Sequence, residues 1–465
     1  MVRRPEEAHE MVEGATRRLS EFAAGLRLDD VPADVVSRIK TLILDQLGAE
    51  VLASGLPWVS GIRSYATRYS RSGEALLVGT GESLDAEYAS LVNATAGHGF
   101  EIDDYHPAPT HIGCVAVPSA MAVGQEQRSS GRDVLEATVV AFEMIARVAD
   151  ATMPSMIFDR GFHATGAHGV FGSAAAAACL MGLSPQESLM ALALAGSHAS
   201  GTVEYTQTGG DVKRFHAGVG AAGGIRSARA AAVGMTGPPT VLEGKKGILL
   251  AFSAAPDVDA LTEGLGDKWS LMATAIKPYT ACGLLNPQID AYRAVMARNG
   301  LQTSDVERVV VGGDRFAVVH VGTIGPEPTS IVGAQFSTHY SLAMAAVLGA
   351  NDFQTYQRME REGFCDPAVL EMAHRIELVL DSECDARYPD ISKATISIRT
   401  RDGRTFDGEA YSYRELPREE VETKFRKLVS ETLTDEQADG VVDSIARLED
   451  LPDVAGLARL LVRRG

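Results

Sequence analysis

The sequence predicts a mainly α protein with an inserted α+β domain: a large all-helical domain plus a smaller α/β domain. Three observations carry this. At 465 residues the chain exceeds the roughly 250 to 300 at which one hydrophobic core stops growing, so two domains are expected. From residue 6 to about 272 apolar residues recur at helical spacing; after 273 the runs become β-branched or alternating, and helical spacing returns near Arg418. The composition is that of a globular chain, with 45% apolar and 22% charged residues, 46 Gly and 19 Pro. The expected boundaries are 1–273 and 417–465 for the helical domain and 274–416 for the insertion.

The first helix is read in DDVPADVVSRIKTLILDQLGAEVLASG, where Val36, Ile39, Ile43, Leu47 and Val51 share one face and Asp30 and Pro32 suit the start. GVFGSAAAAACLMGL has small side chains on nearly every face, which suits a helix at the centre of a bundle. In LSPQESLMALALAGSHASG, Ser184 and Glu187 have capping-box spacing, Pro185 takes the first helical position, and Gly201 is expected to end the helix. Strands follow in VERVVVGGDRF, HRIELVLDSE and KATISIRTRDGRTFDGEA, the last folded into a hairpin at Asp402-Gly403. VETKFRKLVSETL and QADGVVDSIARLEDL then return to helix.

The charge sum is 43 basic against 61 acidic residues, a net −18, which opposes binding to nucleic acid or an anionic membrane surface. A pocket is set by the few charges that line it, so a small anionic substrate stays open. Cys114, Cys179, Cys282, Cys365 and Cys384 are odd in number and none lies at CxxC spacing, which predicts neither a disulfide framework nor a clustered metal site. With no apolar export segment behind Arg3 and Arg4 and no long apolar run, the expectation is a cytoplasmic protein without a membrane span.

The densest polar segment is HGFEIDDYHPAPTHIG, which gathers His98, Glu101, Asp103, Asp104, Tyr105, His106, Thr110 and His111. Pro107 and Pro109 enforce an extended loop there, and its histidines and carboxylates supply proton donors and acceptors that neighbours can tune. The alternatives are a solvated, helix-capping loop or a metal site, although no HExxH or facial-triad spacing supports the latter. A second segment, EYTQTGGDVKRFHAG, sets Lys213, Arg214 and His216 at a helix start after Gly209 and Gly210, which reads either as a cradle for a carboxylate, and less so for a phosphate because the P-loop spacing is missing, or as ordinary surface charges. Two smaller segments are GFHATGAHG, with His163 and His168, and IKPYTACGLLNPQID, with Lys277, Tyr279 and Cys282. No GxSxG or GxGxxG points to a hydrolase or a nicotinamide enzyme.

Together these segments, with ALAGSHASG, TGPPTVLEGKKG and GAQFSTHYSLA, resemble in order the motif series of the MmgE/PrpD (2-methylcitrate dehydratase) family from about residue 40 to 345. The resemblance implies a helical domain with an α/β lid, a homodimer, and a site between the domains without metal or organic cofactor. It implies dehydration, decarboxylation or epimerisation of a small di- or tricarboxylate by moving a proton on carbon next to a carboxylate. The family's active-site lysine falls on Lys213 and its loop histidine on His111. Tyr105, Asp103 and His163 complete the expected catalytic set, and Glu101, Asp104, Gln207, Arg214, His216, Lys277, Tyr279 and Cys282 are expected to bind substrate. Where the cis-aconitate decarboxylase branch has Thr, Asp and a functional His, this chain has Tyr105, Glu101 and Cys282, and Asn286 stands where the family commonly has His. That favours 2-methylcitrate dehydratase-like chemistry first and iminodisuccinate epimerase-like chemistry second, over decarboxylation or a non-catalytic carboxylate-binding role.

Overall fold

A computed structural model describes residues 14–208, 210–388, 391–412 and 416–463. The chain divides into two compact units: one holds the residues up to Gly99, Asp103–Thr274 and the chain from Leu416 on, the other Phe100–Ile102 and Ala275–Glu415. The fold is mainly α with a smaller α/β part.

In the first unit, α1 (Ala33–Ala53) begins directly after Pro32. Every residue from Arg38 to Val51 is buried, so α1 is an interior helix and not the amphipathic one its apolar stripe predicts; Val36 is only half-buried while Val35 is fully covered. The polar side of α1 tolerates burial because it finds partners inside. Lys40 Nζ donates to Ala446 O at 2.9 Å, Lys424 Nζ lies 2.7 Å from Asp45 Oδ1, and Gln46 Nε2 donates to Glu50 Oε1 at 3.2 Å.

Five further helices build the body: α2 (Ala86–Gly97), α3 (Gly113–Gln127), α4 (Gly131–Thr152), α5 (Ala164–Leu180) and α6 (Pro185–Ala195). Asp85 caps α2, and the Ser184–Glu187 capping box opens α6. That helix stops at Ala195, earlier than Gly201 suggests; Gly201, at φ 108, turns the loop beyond it. α7 (Val212–Ala232) follows. α5 is the centre of this unit, buried from Ala164 to Ala178 and packed on α3, α4 and α7. Its neighbours come close enough to forbid a side chain: a Cβ on Gly172 would stand 2.4 Å from Ile145 Cγ1, and one on Gly224 of α7 would stand 2.4 Å from Ser173 Cβ.

In the second unit, α8 (Asn286–Asn299) packs on a four-stranded sheet built from β1 (Val306–Gly313), β2 (Ile376–Leu380), β3 (Lys393–Thr400) and β4 (Thr405–Tyr411). The order is β2-β1-β3-β4; β1 and β2 are parallel, and the other pairs are antiparallel. A parallel pair needs a long crossover, which the helical stretch between β1 and β2, including α9 (Thr338–Leu348), supplies. The β3–β4 turn is the Asp402-Gly403 hairpin, with Gly403 at φ 85. α10 (Arg418–Val429) and α11 (Asp435–Ala446) belong again to the first unit, where Phe425 of α10 is fully buried. Among the described residues no helix is long and apolar enough to cross a membrane.

The tight glycine contacts predict an asymmetric pair of mutants. Gly224→Val should destabilise by at least about 1–3 kcal/mol, because overpacking forces the facing helices apart. Gly61→Ala, at an exposed helical position with nothing within 4 Å of the added carbon, should stabilise by about 0.5–1 kcal/mol. Denaturant midpoints measure both.

Candidate active site

The polar loop leaves the C-terminus of α2 at His98 and re-enters helix at Gly113. Its fold is set by Asp104, whose two carboxylate oxygens accept the N–H groups of Ile112 and Gly113, each at 2.9 Å. Asp104 thus occupies the start of α3, where backbone donors are unpaired and the helix dipole favours an anion. Burial and the neighbouring Asp103 nevertheless raise its carboxyl from 3.8 to about 7. Its carbonyl faces His111 Nδ1 at 2.7 Å.

That contact assigns a tautomer. A carbonyl only accepts, so His111 Nδ1 carries the hydrogen, and Nε2 is the nitrogen able to take or give a proton. The same Nδ1 lies 3.2 Å from Asp103 Oδ2, which also accepts from His98 Nδ1 at 2.7 Å. Ligand atoms of His98, Asp103 and His111 lie within 4.8 Å of one another, a spacing that would suit a metal, and with Nδ1 of both imidazoles close to Asp103 Oδ2 the three also form a hydrogen-bonded triad. Burial outweighs Asp103 and holds the His98 imidazole down at about 3, so it is neutral.

Two more imidazoles join from elsewhere in the first unit. His163, directly before α5, and His216, in the first turns of α7, meet Nδ1 to Nδ1 at 3.0 Å. Burial pushes both below the ordinary histidine range, so one donates as a neutral ring and the other accepts. His163 stacks on His98 at 5.8 Å between centroids and meets the Tyr205 ring edge-on at 5.4 Å. Lys213 is buried close enough for its charge to act on His98, His163 and His216. Tyr105 is buried in the same loop, and Thr165 of α5 receives the His111 N–H at 3.3 Å.

The other expected residues are distributed differently. Arg214 lays its guanidinium 3.8 Å from the Trp58 ring centre and pairs with Asp211 at 2.6 Å, so its charge is engaged within the first unit. The side chain of Gln207 lies outside the described residues. Glu101, Lys277, Tyr279 and Cys282 belong to the second unit. There Lys277 is fully buried and donates to Glu101 Oε2 at 3.1 Å, with Glu101 in the left-handed region at φ 56. Such a backbone in a non-glycine residue costs energy and persists only where its surroundings hold it. Tyr279 donates to Asp290 at 2.6 Å under Arg293; burial and Asp290 raise its hydroxyl to about 12. Cys282 is buried, its N–H on Gln335 O at 3.0 Å. His106 and His168 are structural: His106 accepts from the Ala108 N–H and reaches Ser270 O, and His168 is buried against Thr152 and Met156.

Sequence reasoning singles out His98 within the polar segment but leaves it out of the expected catalytic set, and it assigns no role to Tyr205, Asp45 or Lys424. The others have no local signal, since their partners lie far away in the chain.

With this geometry in place, comparison with known proteins defines the class. The MmgE/PrpD N-terminal domain matches residues 17–261 and the C-terminal domain residues 279–449. The chain belongs to the MmgE/PrpD family, and it is an enzyme of that family's lyase or isomerase type. Similar proteins include the cis-aconitate decarboxylase of Aspergillus terreus, 27% identical over 96% of each chain. Those of Mus musculus (27% identical over 97% of this chain and 94% of its own) and Homo sapiens (28% over 97% and 95%) bear the same name.

The buried carboxyl on α1 gives a pH test. Burial raises Glu50 from 4.5 to about 8, more than its hydrogen bond from Gln46 lowers it. A folded pKa above the unfolded one means stability that is present below the unfolded value and lost as pH rises through about 8. Glu50→Gln removes that loss. Its melting temperature relative to wild type should therefore climb between about pH 5 and pH 9; a constant difference would contradict the buried, uncompensated carboxyl.

Proposed function

We propose that the protein moves a proton at carbon next to a carboxylate of a small di- or tricarboxylate, with 2-methylcitrate dehydratase-like chemistry as the first reading. The observation that carries it is His111. Its Nδ1 is committed to Asp104 and Asp103, and its ring is the most exposed of the four clustered imidazoles, which leaves Nε2 to exchange a proton. Lys213, whose charge acts on His98, His163 and His216, supplies positive charge to the cluster, and the N-terminal ends of α5 and α7 favour an anion nearby.

In this reading His111 and Lys213 are the proton-transfer pair, one taking the proton from carbon and the other returning one to the departing hydroxyl. Asp103 holds His98 and His111 in one tautomer, while His163 and Tyr105 complete the catalytic set. Asp104 acts through His111 and not on substrate, because its oxygens are already bonded to the backbone. Lys277 and Glu101 would meet substrate carboxylates, His216 would line the site, and Arg214 would contribute only its field. The protein would work without metal or organic cofactor, as a homodimer. Tyr105 offers a second acid or base in the loop, which supports epimerisation as the second reading. The relatives' names support decarboxylation of cis-aconitate; Tyr105, Glu101 and Cys282 in place of that branch's residues speak against it.

Lys213→Ala should lower kcat/KM by at least about 10², the lower end for a proton-transfer group; a tenfold loss or less removes Lys213 from that role. Incubation with citrate, aconitate and iminodisuccinate analogues in deuterated water separates the readings. Alkene formation marks a dehydratase, deuterium uptake without loss of water or carbon dioxide an epimerase, and carbon dioxide release a decarboxylase. Turnover of none by the folded protein would overturn the proposal. Activity should also survive EDTA treatment undiminished, and a loss restored by added metal would end the metal-free mechanism.

A further inference from the structure

The GAQFSTHYSLA stretch carries a buried amide placed against both segments that supply Glu101 and Lys277. Gln335 ends the short helix Ile331–Gln335 and is fully buried. Its Nε2 donates to Phe100 O at 2.9 Å and to Thr280 O at 3.3 Å, and its own carbonyl accepts the Cys282 N–H at 3.0 Å. Both side-chain contacts are carbonyls, which only accept, so the amide nitrogen and not the oxygen faces them. Its Oε1 is buried with no hydrogen-bond partner among the described residues, so the donors alone orient the amide.

Each of these bonds acts on an expected binding residue. The Phe100 carbonyl belongs to the planar peptide group that ends at the Glu101 nitrogen, so holding that plane holds one side of the bond about which the Glu101 φ of 56 is measured. The Phe100 ring is fixed as well, edge-on to Phe353 at 4.6 Å between centroids. On the other side, Thr280 follows Lys277 within the same stretch, and its N–H is held by Asn351 O at 2.9 Å. Gln335 thereby ties two segments far apart in the chain, and the buried contact between Lys277 and Glu101 at 3.1 Å joins them a second time. All of these residues belong to the second unit.

We propose that Gln335 is a positioning residue for substrate binding: its amide clamps the Phe100 and Thr280 carbonyls and so holds Glu101 and Lys277 paired where a substrate carboxylate would meet them. This rests on the binding role given to those two residues above. Without the amide, two buried carbonyls would face an apolar side chain and Glu101 would be free to leave a strained backbone state. Because the pair binds substrate and takes no part in proton transfer, the loss should appear in KM and spare kcat.

The test compares wild type with Gln335→Met, which keeps the length of the side chain and removes the amide, in the full-length protein. Acetylation of Lys277 by acetic anhydride, read by mass spectrometry, reports on the pair without any substrate, and Lys393, buried on β3 of the same unit, is the internal control. Lys277 should be modified about tenfold faster in the variant while Lys393 is unchanged. Equal rates at Lys277 in the two proteins overturn the proposal, and so does a matched rise at both lysines, which would mean that the amide merely stabilises the unit. On whichever analogue is turned over, KM should rise about tenfold with kcat within about threefold of wild type. That rise should vanish when Gln335→Met is added to Glu101→Gln, since the two act through one interaction. A fall in kcat with KM unchanged marks a smaller folded fraction and counts against the clamp, as does release of Lys277 with KM unchanged. If no analogue is turned over, the proton-transfer reading fails on its own, and the labelling still upholds or overturns the clamp. If Gln335→Met does not fold, Gln335→Asn, whose amide falls one methylene short, is read in the same way.

Discussion

Asp104 is the clasp of the polar loop. With two backbone N–H groups on its carboxylate and an imidazole on its carbonyl, one residue stops α3 from starting elsewhere, closes the loop and fixes which nitrogen of His111 is protonated. An acceptor at a helix N-terminus is favoured by the unpaired donors there, yet a fully buried carboxylate is opposed by lost hydration. The balance leaves its carboxyl near neutrality, at about 7. The loop is therefore held by a bond whose strength depends on its protonation state, and the loop geometry cannot be separated from the charge around it.

The surrounding helices make this arrangement rigid. α5 presents small residues to three neighbours, and contacts such as Gly172 against Ile145 and Gly224 against Ser173 leave little freedom to slide. His163 stands at the beginning of that central helix and His216 near the beginning of α7, so the close packing of the two helices, with Ser173 Oγ donating to Ala221 O at 2.6 Å, brings the two imidazoles to 3.0 Å. Four imidazole rings, two carboxylates and a lysine are thus assembled from helix ends and one loop. Their chemistry depends on distances that the apolar core determines.

The fold class and many local features were legible because their signals are short. The Ser184–Glu187 capping box, the Asp402-Gly403 hairpin and the small-residue helix each depend on neighbours in sequence. α1 was legible as a helix but not as an interior one. Apolar periodicity treats Lys40, Asp45, Gln46 and Glu50 as facing water, whereas their partners include Ala446 and Lys424 far along the chain. The crowding of His and Asp in the loop could be read directly; which nitrogen meets which oxygen could not. Arg214 illustrates the same limit: a cation at a helix start looks available until Trp58 and Asp211 are seen to hold it.

The return of α10 to α1 has a consequence for synthesis. α1 leaves the ribosome early, with Asp45 charged and the surface around Gly48 uncovered, and the helix that covers both is made only after the whole α/β unit has been translated. Until then the nascent helical unit exposes an apolar seam and an unpaired acid, the kind of surface that chaperones bind and that aggregates when crowded. The α/β unit, whose strands lie within one continuous stretch, has no such wait.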